Sequence, residues 1–566
     1  MSALAALWLL GLWIAAPLLR GRVYRVADRL RDTLALGVAI PFVLGLAHAL
    51  YPLALWLTLA ACAVAGILRT RQTGDRAQPP EPVPYLTIAA LALIAWPALV
   101  RPLLDGDSLA YHLPNAAAWA NAHSLWTTNT LYWWYPPGSE LFASGLFSVS
   151  GPFAVGWSGT LALALLGLRA ADFARERLDA TPLFADAAAA ALVTIPPLAL
   201  QGGTLQNDVW LAAFLLETLV TASGAASAVT MLLKPYGAAL GVVGLVSKQA
   251  EWLQWLPAAA ALGLWILHDE LLRTGATVPI SAVLVPHVWT TGIAANGFGA
   301  FVLFVRTLAA LSPLALAAFF AALASPFFGK QRPVFAFAAC ASALWYLVMP
   351  FAFNNPLDQL ANGASLRFAA PAIAFGVLAI VSLTRRSQPL FAALFAASAA
   401  AGALHVTAIF WNDATTRPAI AVAALLVGIA FAGARTKQPM LIPVALALAV
   451  VLASQLAARN PVAYLADAYA RGDARTGLFA WVASHQPARA VTFGLRGGAV
   501  TLLAPRSIVT DFYDGEEPCA AARAARGVLI WMSEADRPAL DAPRREAVTR
   551  CGAVLYQDPL AVVAQP

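Results

Sequence analysis

Apolar residues in this chain come in runs of about 16 to 22 separated by short polar stretches, a block pattern suited to membrane-crossing helices. Each run is long enough to span a hydrocarbon core of roughly 30 Å, and too long for the alternating strands of a β-barrel. The blocks predict thirteen to sixteen spans. The first, residues 3 to 19, lacks the basic start of a signal peptide and runs directly into RGRVYRVADRLRD, so it reads as a retained helix. After residue 457 the blocks give way to short alternating segments. There ARAVTFG (488–494), RSIVTDF (506–512) and RGVLIWM (526–532) read as strands. LFAWVASH (478–485) and RPALDAPRREAVTRCG (537–552) read as helices, and AVLYQDPLAVVAQ reads as a hairpin. The expected fold is an α-helical polytopic membrane protein with a small three-layer α/β domain at its C-terminus. Its divisions are N-terminal helices at 1–83, a membrane module at 84–457 with a large exterior loop at 101–151, and a soluble domain at 458–566.

Composition agrees with this class: of 566 residues 60% are hydrophobic and 11% charged, with mean hydropathy +0.71. Charge gives the orientation. The short loops 20–32, 69–83, 169–179, 329–333, 384–387 and 435–438 carry 17 Lys and Arg. The alternate segments 101–150, 201–208, 352–367 and 411–417 carry only Arg101, Arg367 and Arg417. The first set is expected to be cytoplasmic and the second exterior. Ala and Arg richness with short loops suggests a bacterial inner membrane, with the C-terminal domain in the periplasm. The net charge of +7 resides mostly in the membrane part, because residues after 457 hold 12 Arg and no Lys against 11 acids. It reflects loop topology and calls for no nucleic-acid partner.

The richest chemistry follows the apolar run at 85–100, where DGDSLAYHLP places Asp105, Asp107, Tyr111 and His112 just beyond a helix end. Two acids that close together converge on a hydroxyl, a divalent metal or a phosphate; Mg or Mn held by Asp105 and Asp107 stays open. His112 either touches substrate or makes a structural hydrogen bond. The stretch 113–126, with Trp119 and Trp126, fits a helix lying in the interface. The following run LYWWYPPGSELF, which includes Trp134 and Tyr135, supplies aromatic walls for sugar faces and isoprenoid chains. Glu140 is either a further site acid or a helix-start residue. Basic residues are scarce outside, which makes Arg367 a candidate phosphate clamp. Lys248 either snorkels or meets a phosphate. Asp208, Asn354, Asn355 and Asp358 are further exterior polar groups. Cys62 and Cys340 sit in apolar spans, whereas Cys519 and Cys551 share the exported domain and are expected to form a disulfide. GLRGG (494–498) reads as a turn rather than a phosphate loop.

DGDSLAYHLP, the YPPGSELF that closes the loop, SLRFAAP (365–371) and the terminal α/β domain together resemble the GT-C superfamily of membrane glycosyltransferases. The resemblance runs from about residue 84 onward. It departs from the common layout in having three extra spans ahead of the motif. It implies that Asp107 or Asp105 is the base that deprotonates the acceptor, with Asp107 the better match, and that Arg367 binds the donor phosphate. The expected activity is inverting transfer of a sugar from an undecaprenyl or similar polyprenyl phosphate to a lipid, glycan or protein on the exterior face. A transporter or flippase for lipid-linked sugars is the alternative, although mid-span charges look few and no repeat is evident. A noncatalytic assembly factor is a third.

Overall fold

The computed structural model describes residues 2–20, 25–73, 82–100, 105–127, 135–221, 223–234, 237, 239–242, 252–272, 293–327, 333–349, 360–361, 363–410, 472–493, 497–511, 517–533 and 538–566. Lys248, Trp134, Asn354, Asn355, Asp358 and the apolar runs between 411 and 457 lie outside the described residues.

Among the described residues the membrane part is helical, with short turns between the helices. Among the described residues four helices are long and apolar enough to cross a membrane: Pro52–Gln72, Pro152–Arg177, Ala364–Leu383 and Arg385–Val406. The pair Pro182–Thr194 and Pro196–Gly203 makes a fifth if counted as one span, and five shorter apolar helices accompany them. Pro152–Arg177 and Ala364–Leu383 are central and mostly buried, whereas Pro52–Gln72 and Arg385–Val406 lie at the periphery. Proline opens several of these helices, at Pro52, Pro182, Pro313 and Pro333, where its missing N–H costs nothing. Close crossing of helices needs small residues. Gly376, on Ala370–Leu383, lies so near the neighbouring helix that a Cβ there would overlap the Ala318 carbonyl, and Ala372 continues the same face one turn earlier. Asp186 satisfies the first amides of the helix Tyr85–Val100: its carboxylate accepts from Leu86 N and Thr87 N, both at 2.9 Å.

The C-terminal domain is a mixed five-stranded sheet in the order β2-β1-β3-β5-β4. The strands are β1 (Arg489–Phe493), β2 (Ile508–Asp511), β3 (Val528–Met532), β4 (Ala553–Asp558) and β5 (Ala561–Gln565). β1, β2 and β3 are parallel, and the hairpin β4–β5 adds antiparallel to β3. Both faces are covered, as the unbroken apolar sequence of β3 requires, since its successive side chains point to opposite faces. Val528, Ile530 and Met532 join the core shared with Leu478 and Val500 of the helices Gly472–His485 and Gly497–Leu503. Leu529 and Trp531 face Ala522 and Val548 of the helices Pro518–Ala525 and Pro538–Thr549. This is the expected three-layer unit, with two short helices, Gly497–Leu503 and Pro518–Ala525, that the sequence pattern did not signal. Cys519 and Cys551 are disulfide-bonded. Their separation of 32 residues implies a stabilisation of about 3–4 kcal/mol through the unfolded state. Replacing both cysteines by alanine should therefore let trypsin cut the domain at a lower temperature than in the parent protein; an unchanged cleavage temperature would show that the cross-link contributes nothing.

Candidate active site

The acidic motif is folded into one widened helical turn, Ser108–His112, in which Leu113 N reaches back to Ser108 O. Such π turns free a backbone group and redirect the side chains that follow. Asp105 starts it: its Oδ1 accepts from Ser108 N at 2.9 Å and from Gln206 Nε2 at 3.2 Å. Ser108 Oγ in turn accepts Leu205 N at 2.8 Å. The segment around residues 201–208 reaches the motif because the chain bends by 67° between Thr194 and Pro196, where Pro196 and Pro197 follow one another.

A chain of alternating charges runs through the site. Asp107 pairs with Arg367, the guanidinium at the start of the helix Ala370–Leu383. Arg367 Nε also lies 3.5 Å from Asp208 Oδ2. The other oxygen of Asp208, Oδ1, receives a hydrogen bond from Lys234. Asp208 is almost fully buried at the N-terminus of the helix Asp208–Thr221, where the helix dipole favours a carboxylate. Both cations sit 4.7 Å from the centre of the Phe368 ring, which adds a cation–π attraction to each ion pair. Two positive groups are thus held side by side around one buried acid, with Asp107, the more exposed carboxylate, at the open end. An arginine and a lysine so arranged are suited to a phosphate, and an adjacent carboxylate to a hydroxyl proton.

Next to this chain, His112 Nδ1 donates to Glu140 Oε1 at 2.6 Å, and Ser139 Oγ donates to Glu140 Oε2 at 2.9 Å. Both His112 and Glu140 are buried, so these two sequence candidates meet each other. The Tyr111 ring lies 4.0 Å from that of His112. Burial, and then the charge of Asp107, push its phenol well above its ordinary value, so it is a hydrogen-bond donor at neutral pH. Tyr135 carries part of the same electrostatic environment. The helix expected to lie in the interface, Leu113–Ala122, is instead enclosed: Trp119 is buried and meets Trp265 edge-on at 6.4 Å. The reason is that the C-terminal domain covers its outer side, which no local pattern records.

Lys234 was not among the sequence candidates. It stands alone in LLKPYG beside apolar residues, with no more local signal than Lys248, and only the fold brings it to Asp208. A second set of charges was equally unforeseen. Arg31 and Arg169 both reach Glu217, Arg31 also bonds Asp32 at 2.7 Å, and Asp28 bonds both arginines. These groups are mutually paired between three helices, as charges buried in protein must be. An apolar cavity of about 460 Å³ lies between Val26–Leu46, Gly224–Met231 and Trp252–Leu272, with Leu36, Phe42, Val229 and Leu264 in its wall. Leu232, two residues before Lys234, lines it too.

Asp105 Oδ2 is shielded from solvent and has no hydrogen-bond partner among the described residues. Burial raises this carboxyl above its ordinary value, with a smaller contribution from Asp107, while Ser108 opposes the shift. The folded state therefore holds the proton more tightly than the unfolded one, and stability falls as pH rises from the ordinary carboxylate range through the raised value. Asp105→Asn, which mimics the protonated acid, should gain in Tm relative to the parent protein as pH rises through that window. A Tm difference independent of pH would show that the carboxyl is unshifted.

No protein-family profile matches this chain, and neither does any curated protein. Among solved structures, it is similar to ArnT from Cupriavidus metallidurans bound to undecaprenyl phosphate, with TM-score 0.47 and 16% identity over 84% of this chain and 96% of that one. The apo state of the same protein gives TM-score 0.44 and 17% identity over the same shares.

Proposed function

We propose that this chain is an inverting glycosyltransferase of the GT-C kind, moving a sugar from a polyprenyl-phosphate donor to a lipid, glycan or protein acceptor on the periplasmic face of a bacterial inner membrane. The observation that carries the reading is the run Asp107–Arg367–Asp208–Lys234, which sets a proton acceptor beside two phosphate-binding cations at the ends of membrane helices. The apolar cavity that reaches Leu232 suits an isoprenoid chain whose phosphate lies at Lys234.

In this reading Asp107 takes the proton of the acceptor hydroxyl as its oxygen attacks the anomeric carbon. The bond from that carbon to the phosphate oxygen breaks, and the electron pair leaves on the phosphate. Arg367 and Lys234 stabilise the charge that develops there. A single displacement inverts the anomeric centre. Tyr111, its phenol protonated, stands near Asp107 as a donor for the substrate, and the His112–Glu140 pair steadies the turn and the ring packed beside it. Asp105 is a structural acid rather than the base, because its Oδ1 is committed to Ser108 and Gln206. Metal ligation fits less well. Among the described residues no third carboxylate, imidazole or thiolate joins Asp105 and Asp107 within ligand reach. A Mg or Mn ion would also have to displace Arg367 from Asp107. No step is routed through one.

In liposomes, with a panel of radiolabelled sugars on polyprenyl phosphates, Asp107→Asn should lower turnover by about 10² to 10⁴. Lys234→Ala and Arg367→Ala should chiefly weaken use of the donor. Equal transfer by the parent protein and Asp107→Asn would remove the base, and no transfer from any donor would favour a flippase. Orientation is checked separately with cysteines at two exposed positions, Asp179 on the basic-loop side and Glu546 in the C-terminal domain. An impermeant maleimide added outside should label Glu546→Cys and spare Asp179→Cys; the reverse pattern would place the site in the cytoplasm.

A further inference from the structure

The outer side of the acidic turn is in contact with the C-terminal domain. A Cβ built on Gly498 would lie 2.6 Å from Leu109 Cα and 2.7 Å from Leu109 O, so the helix Gly497–Leu503 touches the backbone two residues beyond Asp107. Nothing larger than hydrogen fits at Gly498 unless that backbone moves. The helix after the turn is tied to the same domain: Asn121 Nδ2 donates to Pro505 O at 2.9 Å and to Ser507 O at 3.4 Å. Leu109, Leu113 and Trp119 share one apolar cluster with Ala499, Val500, Leu503 and Val509. All seven residues of Gly497–Leu503 are buried. The domain is therefore packed against the turn at Leu109 and tied to the end of the helix that follows it at Asn121.

We propose that the C-terminal domain is a positioning element for the acidic turn, with Gly498 and Asn121 as the residues through which it acts. The proposal rests on the reading of Asp107 as the base. On one side the turn is held by Leu205 and Gln206 through Ser108 and Asp105. On the opposite side the domain contacts the turn through Gly498 and the following helix through Pro505 and Ser507. Turnover is sensitive to displacements of about 1 Å between a base and its substrate. Holding the Leu109 backbone from both sides keeps Asp107 in register with Arg367 and Lys234. Gly498 and Asn121 are positioning residues, since they act on the turn and through it on the acid.

The test uses the full-length protein in lipid nanodiscs and two readouts, deuterium uptake by the peptide covering 105–113 and sugar transfer. Asn121→Ala removes the donor to both carbonyls, and Gly498→Ala inserts a methyl against Leu109. In both variants, uptake by that peptide should quicken about tenfold, the scale set by one lost hydrogen bond. Turnover should fall roughly tenfold to a hundredfold while the KM for donor stays unchanged. Asn121→Gln, which keeps the amide, should recover part of both losses. Unchanged uptake, or faster uptake with unchanged turnover, would overturn the proposal. Should Gly498→Ala fail to fold, as judged by gel filtration and loss of the disulfide, Asn121→Ala decides alone. Uptake does not depend on activity, so a parent protein that transfers no sugar would sink the glycosyltransferase reading, and the peptide would still report whether the domain holds the turn.

Discussion

A buried carboxylate shared between two cations is the constraint around which the site is arranged. Asp208 receives Lys234 on one oxygen and faces Arg367 with the other, and both cations lie against Phe368. An isolated carboxylate at this depth would be strongly disfavoured, and removing either cation would leave uncompensated charge. The pairing therefore ties together three separate stretches of chain: the helix starting at Asp208, the end of the Gly224–Met231 segment, and the turn before Ala370–Leu383. Asp107 is attached to this frame through Arg367. Its location is thus set by helices far from it in sequence.

The same helix carries a second concentration of charge. Glu217 lies nine residues after Asp208, so at 1.5 Å per residue the two acids are about 13.5 Å apart along the axis. Glu217 is matched by Arg31 and Arg169, and these by Asp28, Asp32 and Asp172. One helix is in this way fixed at both ends by ion pairs in surroundings that do not solvate charge, while its middle, including Trp210 and Phe214, is held by aromatic packing. Such double fixing leaves Asp208 little freedom to shift along the bundle.

The C-terminal domain belongs to this architecture. One face of its sheet is closed by its own helices Pro518–Ala525 and Pro538–Thr549, while the other face continues into the core that also contains Leu109 and Trp119. An enclosed helix Leu113–Ala122 follows from this. Its alanines and Trp119 have the composition of an interfacial helix, yet their neighbours are protein on both sides.

Much of the protein was legible because some physical rules act locally. Long apolar runs demand helices in a bilayer, the unbroken apolar run Val528–Met532 demands a strand covered on both faces, and two cysteines in one small domain can reach each other to form a bond. The acids after the apolar run and Arg367 stood out for the same reason, as charges where charges are rare. The sequence could not distinguish Lys234 from Lys248, could not show that Glu140 and His112 would meet, and gave no sign that Arg31 and Glu217, 186 residues apart, would pair. Each of those facts is a pairing across the bundle, and a pairing energy exists only between groups that the fold has already brought within reach. Local pattern determined the elements and the rarity of their charges; tertiary structure alone decided which charges neutralise one another and which carboxylate stays open.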